Sequence, residues 1–174
     1  MTDTVFFHED SYCQIELLPK QNYQDIGSFP VQEENTFGFE HMLVRDKPLF
    51  PIVNLGISTQ EMESLLARNA INYFPVVNTG YSTYRVVKED TVVYGFERLW
   101  VFVESKQSIV KNVWLGFSSL FTASESCDYL FKVLELIGEK YPLILVDWNG
   151  EVIVRLQEVD EIQHYLESEF GFKF

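Results

Sequence analysis

Asn149-Gly150 stands between two apolar, β-branched segments, residues 143–148 and 151–156. Both residues of that pair accept positive φ, so the spacing predicts a hairpin closed by a two-residue type I′ turn. The register follows. Asp147 faces Val152, and Trp148 faces Glu151. One face then carries Leu143, Leu145, Asp147, Val152, Val154 and Leu156. The other carries Ile144, Val146, Trp148, Glu151, Ile153 and Arg155.

The rest of the chain falls into place around this hairpin. Strands are expected at 5–8 and 12–18, joined by His8-Glu9-Asp10-Ser11, with Pro19 ending the second. Residues 20–36 hold Gly27, Pro30 and many polar groups, and predict a long surface loop of a kind that is often functional. A further strand is expected at 37–44, before Lys47-Pro48 and Phe50-Pro51 break the chain. Ser58 and Glu61 have capping-box spacing, and Met62, Leu65 and Leu66 make one helical face that ends at Asn69 or Asn72. Strands at 81–87 and 91–96 flank Lys88-Glu89-Asp90 as a hairpin, and strands at 99–103 and 109–117 flank a second turn at 105–108. The unbroken apolar run at 99–103 calls for a strand covered on both faces, and Gly95 suggests a bulge or bend.

Thr122 and Glu125 open a second helix over 123–141, whose buried stripe is Cys127, Leu130, Phe131, Leu134 and Ile137. A last helix over 159–170 buries Ile162, Tyr165 and Leu166, with carboxylates in its first turn and Gly171 beyond its end. The order predicts one α+β domain over 1–174. Its sheet is predominantly antiparallel, with about six or more strands and about three helices packed on it.

Charge narrows the function classes. The 174 residues include 26 acids against 13 bases, for a net charge of −13. Residues 1–46 hold nine acids and two bases, 47–123 six and seven, and 124–174 eleven and four. The acids thus gather at the two ends of the sequence. Phosphate backbones and anionic membranes both require basic surface, so neither nucleic acid nor membrane is the expected partner. A hydrophobic content of 47% rules out a disordered acidic tail. The first ten residues lack the basic and apolar regions of a signal peptide. Cys13 and Cys127 are far apart in sequence and read as free thiols of a reducing cytoplasm.

Local catalytic motifs are missing: no phosphate-cradling glycine loop, no HExxH, no GxSxG and no CxxC. His8, Glu9 and Asp10, with Glu40 and His41, combine imidazole and carboxylate, but no spacing suits a metal, and no cofactor is expected. Cys13 alternates with Ile15 and Leu17 and belongs to the core rather than to a nucleophilic site. Asp147, on the apolar face of its hairpin, accepts hydrogen bonds near the Asn149-Gly150 turn. Trp100 and Trp114 read as core or as the wall of a ligand groove, and Trp148, beside a turn, is expected to be partly exposed.

In size, acidity, aromatic content and element order, the whole chain resembles the bacterial immunity proteins that protect against polymorphic or contact-dependent toxins. The resemblance carries no residue roles. It implies a cytoplasmic, non-enzymatic protein that blocks a basic protein partner. Glu33 and Glu34 on the long loop, and Glu158, Asp160 and Glu161 on the last helix, would steer that partner, with Trp148 as the desolvated anchor. Two other expectations stand beside it. One is a small-ligand binder or hydrolase using an aromatic-lined pocket with Asp147 or His8. The other is a self-associating structural module.

Overall fold

The structure is a computed structural model and describes residues 4–26, 31–32, 42–43, 47–67, 72–81, 83–96, 99–117 and 124–174. Strands β1 (Thr4–His8) and β2 (Ile15–Pro19) bracket a 3-10 turn at Glu9–Ser11. A short helix α1 (Tyr23–Ile26) and two-residue strands β3 (Val31–Gln32) and β4 (Met42–Leu43) follow. Helix α2 (Thr59–Ala67) leads into β5 (Asn72–Phe74), β6 (Val76–Tyr81), β7 (Tyr84–Val87), β8 (Thr91–Phe96), β9 (Leu99–Lys106) and β10 (Ile109–Phe117). Helix α3 (Ser124–Lys140), strands β11 (Leu143–Asp147) and β12 (Val152–Arg155), and helix α4 (Val159–Phe170) come last.

Seven strands form an antiparallel sheet in the order β12-β11-β2-β10-β9-β8-β5, and β1-β6-β7 form a second sheet in which β1 runs parallel to β6. The fold is α+β, as the sequence predicts. One face of the large sheet packs Leu17, Val101, Val113, Leu145 and Val154 against Met62 of α2, Leu134 of α3 and Ile162 of α4. Each such fully buried side chain contributes about 1.5–3 kcal/mol. The opposite face has two covers. The small sheet lays Val5, Phe7 and Val77 over Val93, Phe102 and Trp114. Ile26 of α1 belongs to a third cluster with Leu18, Ile144, Val146 and Trp148. This double cover explains the apolar run at 99–103: β9 lies between β8 and β10 with both faces buried.

The hairpin at the end of the chain keeps its predicted register, Asp147 opposite Val152, but not its predicted turn. Pairing stops at those two residues. The Trp148 N–H donates to the Gln14 carbonyl at 2.9 Å, and Glu151 takes the positive φ, 54°. Asp147 Oδ1 accepts the N–H groups of Asn149 and Gly150, both at 3.0 Å, and holds a four-residue loop. A two-residue turn with both φ positive occurs instead between β9 and β10, at Gln107 (53°) and Ser108 (63°). Neither residue favours that region. The long apolar ladder of β9 and β10 outweighs a backbone cost of about 1–2 kcal/mol per residue.

Other differences have similarly local causes. The strand expected at 81–87 is divided: Tyr81 ends β6, and Tyr84–Val87 form β7, which pairs antiparallel with it from Tyr81 opposite Tyr84. Gly80 permits it: φ is 133°, and a Cβ there would meet the Tyr84 carbonyl oxygen at 2.4 Å. Lys88-Glu89-Asp90 therefore leads from the small sheet to the large one and does not close a hairpin of β7 with β8. Gly95 pairs in register with Trp100, and the bulge lies in β10 between Val110 and Asn112. The strand expected at 12–18 begins at Ile15, because Cys13 turns the chain with φ of 54°.

The loop expected at 20–36 contains a 3-10 turn at Lys20–Asn22 and α1. Buried Asn22 donates to the carbonyls of Pro19 (3.0 Å) and Phe50 (2.8 Å), tying the turn down. Of the strand expected at 37–44, Met42–Leu43 is present, and 37–41 and 44 lie outside the described residues. So do Asn69 and Thr122, two of the expected helix boundaries.

The capping box of α2 forms as predicted. The Glu61 N–H donates to Ser58 Oγ at 3.1 Å, and the Ser58 N–H donates to Glu61 Oε2 at 3.1 Å. Ser58→Ala is expected to lower the free energy of unfolding by about 1 kcal/mol, read by urea denaturation.

Candidate interaction surface

Helix α4 buries Ile162, Tyr165 and Leu166, which commits one side of the helix to the core. The remainder carries Asp160, Glu161, Glu167 and Glu169 and no Lys or Arg. Glu158, Asp160, Glu167 and Glu169 are exposed. Glu161 is different. It accepts the Arg155 N–H at 2.8 Å and Nε at 2.7 Å, and Nη2 as well. Burial alone would raise its pKa, but the hydrogen bonds and charge of Arg155 hold the carboxyl below its ordinary value. Of the three carboxylates expected to steer a partner from this helix, Glu158 and Asp160 therefore face solvent, and Glu161 is neutralised within the chain. Glu33 and Glu34 lie outside the described residues.

Trp148 is not a partly exposed anchor. Its side chain is 7% exposed and packs with Leu18, Ile144 and Val146. Its Nε1 donates to Glu16 Oε1 at 2.9 Å, and Glu16 is itself buried. The reason is the second layer. The hairpin face carrying Trp148 lies under α1 and not in solvent.

Exposed apolar surface beside this layer occurs on α1 itself and at Leu49 and Phe50. Tyr23 is 41% exposed, Phe50 44% and Leu49 69%. With Ile144 and Arg155 they line an open groove of about 700 Å³. The Arg155 guanidinium lies 5.7 Å from the centre of the Tyr23 ring while it holds Glu161. Arg155 thus links the groove, which Lys20 and Asp25 also line, to Glu161 in the first turn of α4. Apolar surface rimmed by charge is the anatomy of an interaction face.

A second concavity, of about 380 Å³, opens on the far side of β2. β10 pairs with β9 from Ile109 to Phe117, but meets β2 at one position, Trp114 opposite Glu16. Gln14 and Ile15 on one side, and Leu115, Gly116 and Phe117 on the other, line the cleft beyond that bridge. Gly116 has a packing reason: a Cβ there would meet the Phe102 ring at 2.6 Å. Asp147 is not among the lining residues. Its Oδ2 accepts the Tyr165 hydroxyl at 2.8 Å, and its Oδ1 caps the turn, the role expected from its position beside Asn149-Gly150. Of these two concavities, His8 lines the one beside β2 and Asp147 lines neither.

His8 sits at the mouth of that cleft. Its Nδ1 is 3.2 Å from Asp10 Oδ2, the Tyr81 hydroxyl donates to Asp10 Oδ1 at 2.9 Å, and the Tyr81 ring meets the imidazole edge-on. Glu40 and His41 lie outside the described residues, and among the described residues no three His, Cys, Asp or Glu side chains gather as a metal site. Cys13 is fully buried among Phe7, Val77 and Trp114, as core.

One buried carboxylate gave no sign in the sequence. Glu104, 2% exposed, accepts the Tyr12 hydroxyl at 2.7 Å, Lys111 Nζ at 3.0 Å and Asn112 Nδ2, and has Lys88 Nζ at 3.7 Å. Burial opposes its ionisation. The three hydrogen bonds and the lysine charge overcome it and bring the carboxyl down to about 2. Tyr12 is driven well above the ordinary phenol range by burial and by Glu104.

No protein-family model, no curated protein and no solved structure matches the chain. Among the described residues, no helix is long and apolar enough to cross a membrane.

Proposed function

We propose that the chain is a non-enzymatic, acidic binding protein that blocks a basic protein partner, in the manner of a toxin-immunity protein. The reading rests on one juxtaposition. The apolar groove at Tyr23, Leu49 and Phe50 adjoins, through Arg155, a helix whose charged side chains are all carboxylates. Glu158 and Asp160 accelerate encounter with a cationic surface, and Leu49 and Phe50 supply the desolvated contact. The anchor role passes from Trp148 to these residues.

The two parts separate kinetically. With the partner isolated from the native host and purified, Glu158→Lys with Asp160→Lys is expected to slow association roughly tenfold at low salt and flatten its salt dependence. Leu49→Ser with Phe50→Ala is expected to leave association nearly unchanged and to speed dissociation roughly tenfold. Unchanged rates in both variants would reject this face. A captured partner with no basic surface would reject the reading itself.

A further inference from the structure

The large sheet ends at β12, and the chain itself closes the last position of that edge. The Arg155 N–H donates to Glu161 Oε2 at 2.8 Å, and the Arg155 carbonyl accepts the Glu158 N–H at 3.0 Å. The small sheet ends at β7, and there the edge is open. Among the described residues, β7 pairs with β6 alone. The Lys88 N–H donates to the Val77 carbonyl at 2.8 Å. The bonds of an antiparallel ladder fall on alternate residues, so Val86 and Tyr84 also turn their N–H and C=O toward β6. Arg85 and Val87 turn theirs outward.

Side chains leave the same strand uncovered. Tyr84 and Val86 lie on one face, Arg85 and Val87 on the other, and all four are exposed. Val86 is 53% exposed and Val87 55%. Two β-branched side chains and an aromatic ring in water, beside outward backbone donors and acceptors, form a template for one more strand.

The charges identify which strand fits. Arg85 lies over the Phe6 ring, 4.6 Å from its centre. Glu89, also exposed, stands as far beyond Val87 as Arg85 stands before it. Two copies of this segment, laid antiparallel about a two-fold axis at Val87, bring Arg85 of each opposite Glu89 of the other. Val87 then meets its own counterpart, and their outward N–H and C=O groups bond across the axis. Opposite charges facing each other across a strand pair stabilise it, and here one sequence supplies both.

We propose that β7 is a homodimerisation edge, through which two copies of this chain pair antiparallel and join their small sheets into one of six strands. The edge shares no residue with the partner-blocking face. Four residues a side make a small contact beside the ~1,200–2,000 Å² of a standard interface, so a Kd of roughly 100 μM is expected.

Sedimentation equilibrium of the full chain from about 10 μM to about 1 mM measures it. Salt near ~0.15 M screens the repulsion between two chains of net charge −13. Val87→Pro removes only an outward N–H, which an edge strand tolerates, and is expected to weaken dimerisation roughly tenfold or more. Arg85→Glu and Glu89→Arg each set like charges opposite one another at both ends of the contact, and each is expected to weaken it roughly tenfold. Mixed together, those two variants face opposite charges at both ends and are expected to pair about as tightly as the wild type. The mixture decides the matter even if Val87→Pro does not fold. A chain that stays monomeric throughout would overturn the proposal and leave the edge to a strand of another protein. A dimer that Val87→Pro leaves intact, or a mixture no tighter than its components, would overturn it as well.

Discussion

Glu104→Gln is expected to lower the free energy of unfolding by about 3 kcal/mol at pH 7, and that loss should shrink steadily below pH 4.5. The size follows from the shift. A carboxyl brought from 4.5 to about 2 in the native state represents roughly 3 kcal/mol of preference for the ionised form. The direction follows from proton counting. Between pH 2 and 4.5 the unfolded chain binds the proton that the native chain refuses, so the wild type loses stability as pH falls. Above 4.5 the contribution is complete and flat. The Gln variant lacks this group, and its own pH profile is less steep in the same window. Urea denaturation of both proteins from pH 2 to 7 gives the two curves. A constant gap across the range would mean that Glu104 acts through shape and not through charge.

The same carboxylate links the sheets to the cleft. Tyr12, which donates to Glu104, belongs to the segment that turns at Cys13 and carries Gln14 to the cleft wall. Lys88, on the passage between the sheets, faces both Glu104 and the Tyr12 ring. Loosening Glu104 is therefore expected to release the Gln14 wall of the cleft as well as to destabilise the fold.

What could be read in the sequence was local. Strand and helix positions, the Asp147–Val152 register and the Ser58–Glu61 cap all depend on residues a few places apart, where spacing carries the physics. Trp148 shows where that ends. Alternation separated it from Asp147 and Leu145, and in the structure its face is the one opposite α3 and α4. Whether that face met water depended on α1, which sits in a polar segment that reads as loop. The Trp148–Glu16 hydrogen bond joins residues 132 positions apart. The cleft is a matter of strand order: β2 lies between β10 and β11, and no local pattern sets Gln14 beside Asn149. Glu104, at the end of an apolar run, looks like the first solvated residue after a strand. Its partners Tyr12 and Asn112 come from the 3-10 turn and from the bulged part of β10.

Gly138→Ala should destabilise the protein by about 3 kcal/mol, reversing the usual effect of that change in a helix. At an exposed helical position, alanine in place of glycine gains about 1 kcal/mol. Gly138, however, faces β12's continuation: a Cβ there would lie 2.0 Å from the Leu156 carbonyl oxygen and 2.6 Å from its carbonyl carbon. These are backbone atoms and cannot rotate away. Gln157 tightens the same junction, donating through Nε2 to the carbonyls of Tyr141 at 3.0 Å and Leu143 at 3.1 Å. To admit one methyl group, α3 must lift from the sheet. Leu134 and Ile137, both fully buried, would then lose part of their packing. Leu156→Ala offers no relief, because the obstruction is its carbonyl and the Cβ that alanine keeps, so the double variant should be at least as unstable as Gly138→Ala alone. Guanidinium denaturation measures both. A stabilised Gly138→Ala protein would show that α3 and the strand stand farther apart, and with it would go the reason this helix carries a glycine at all.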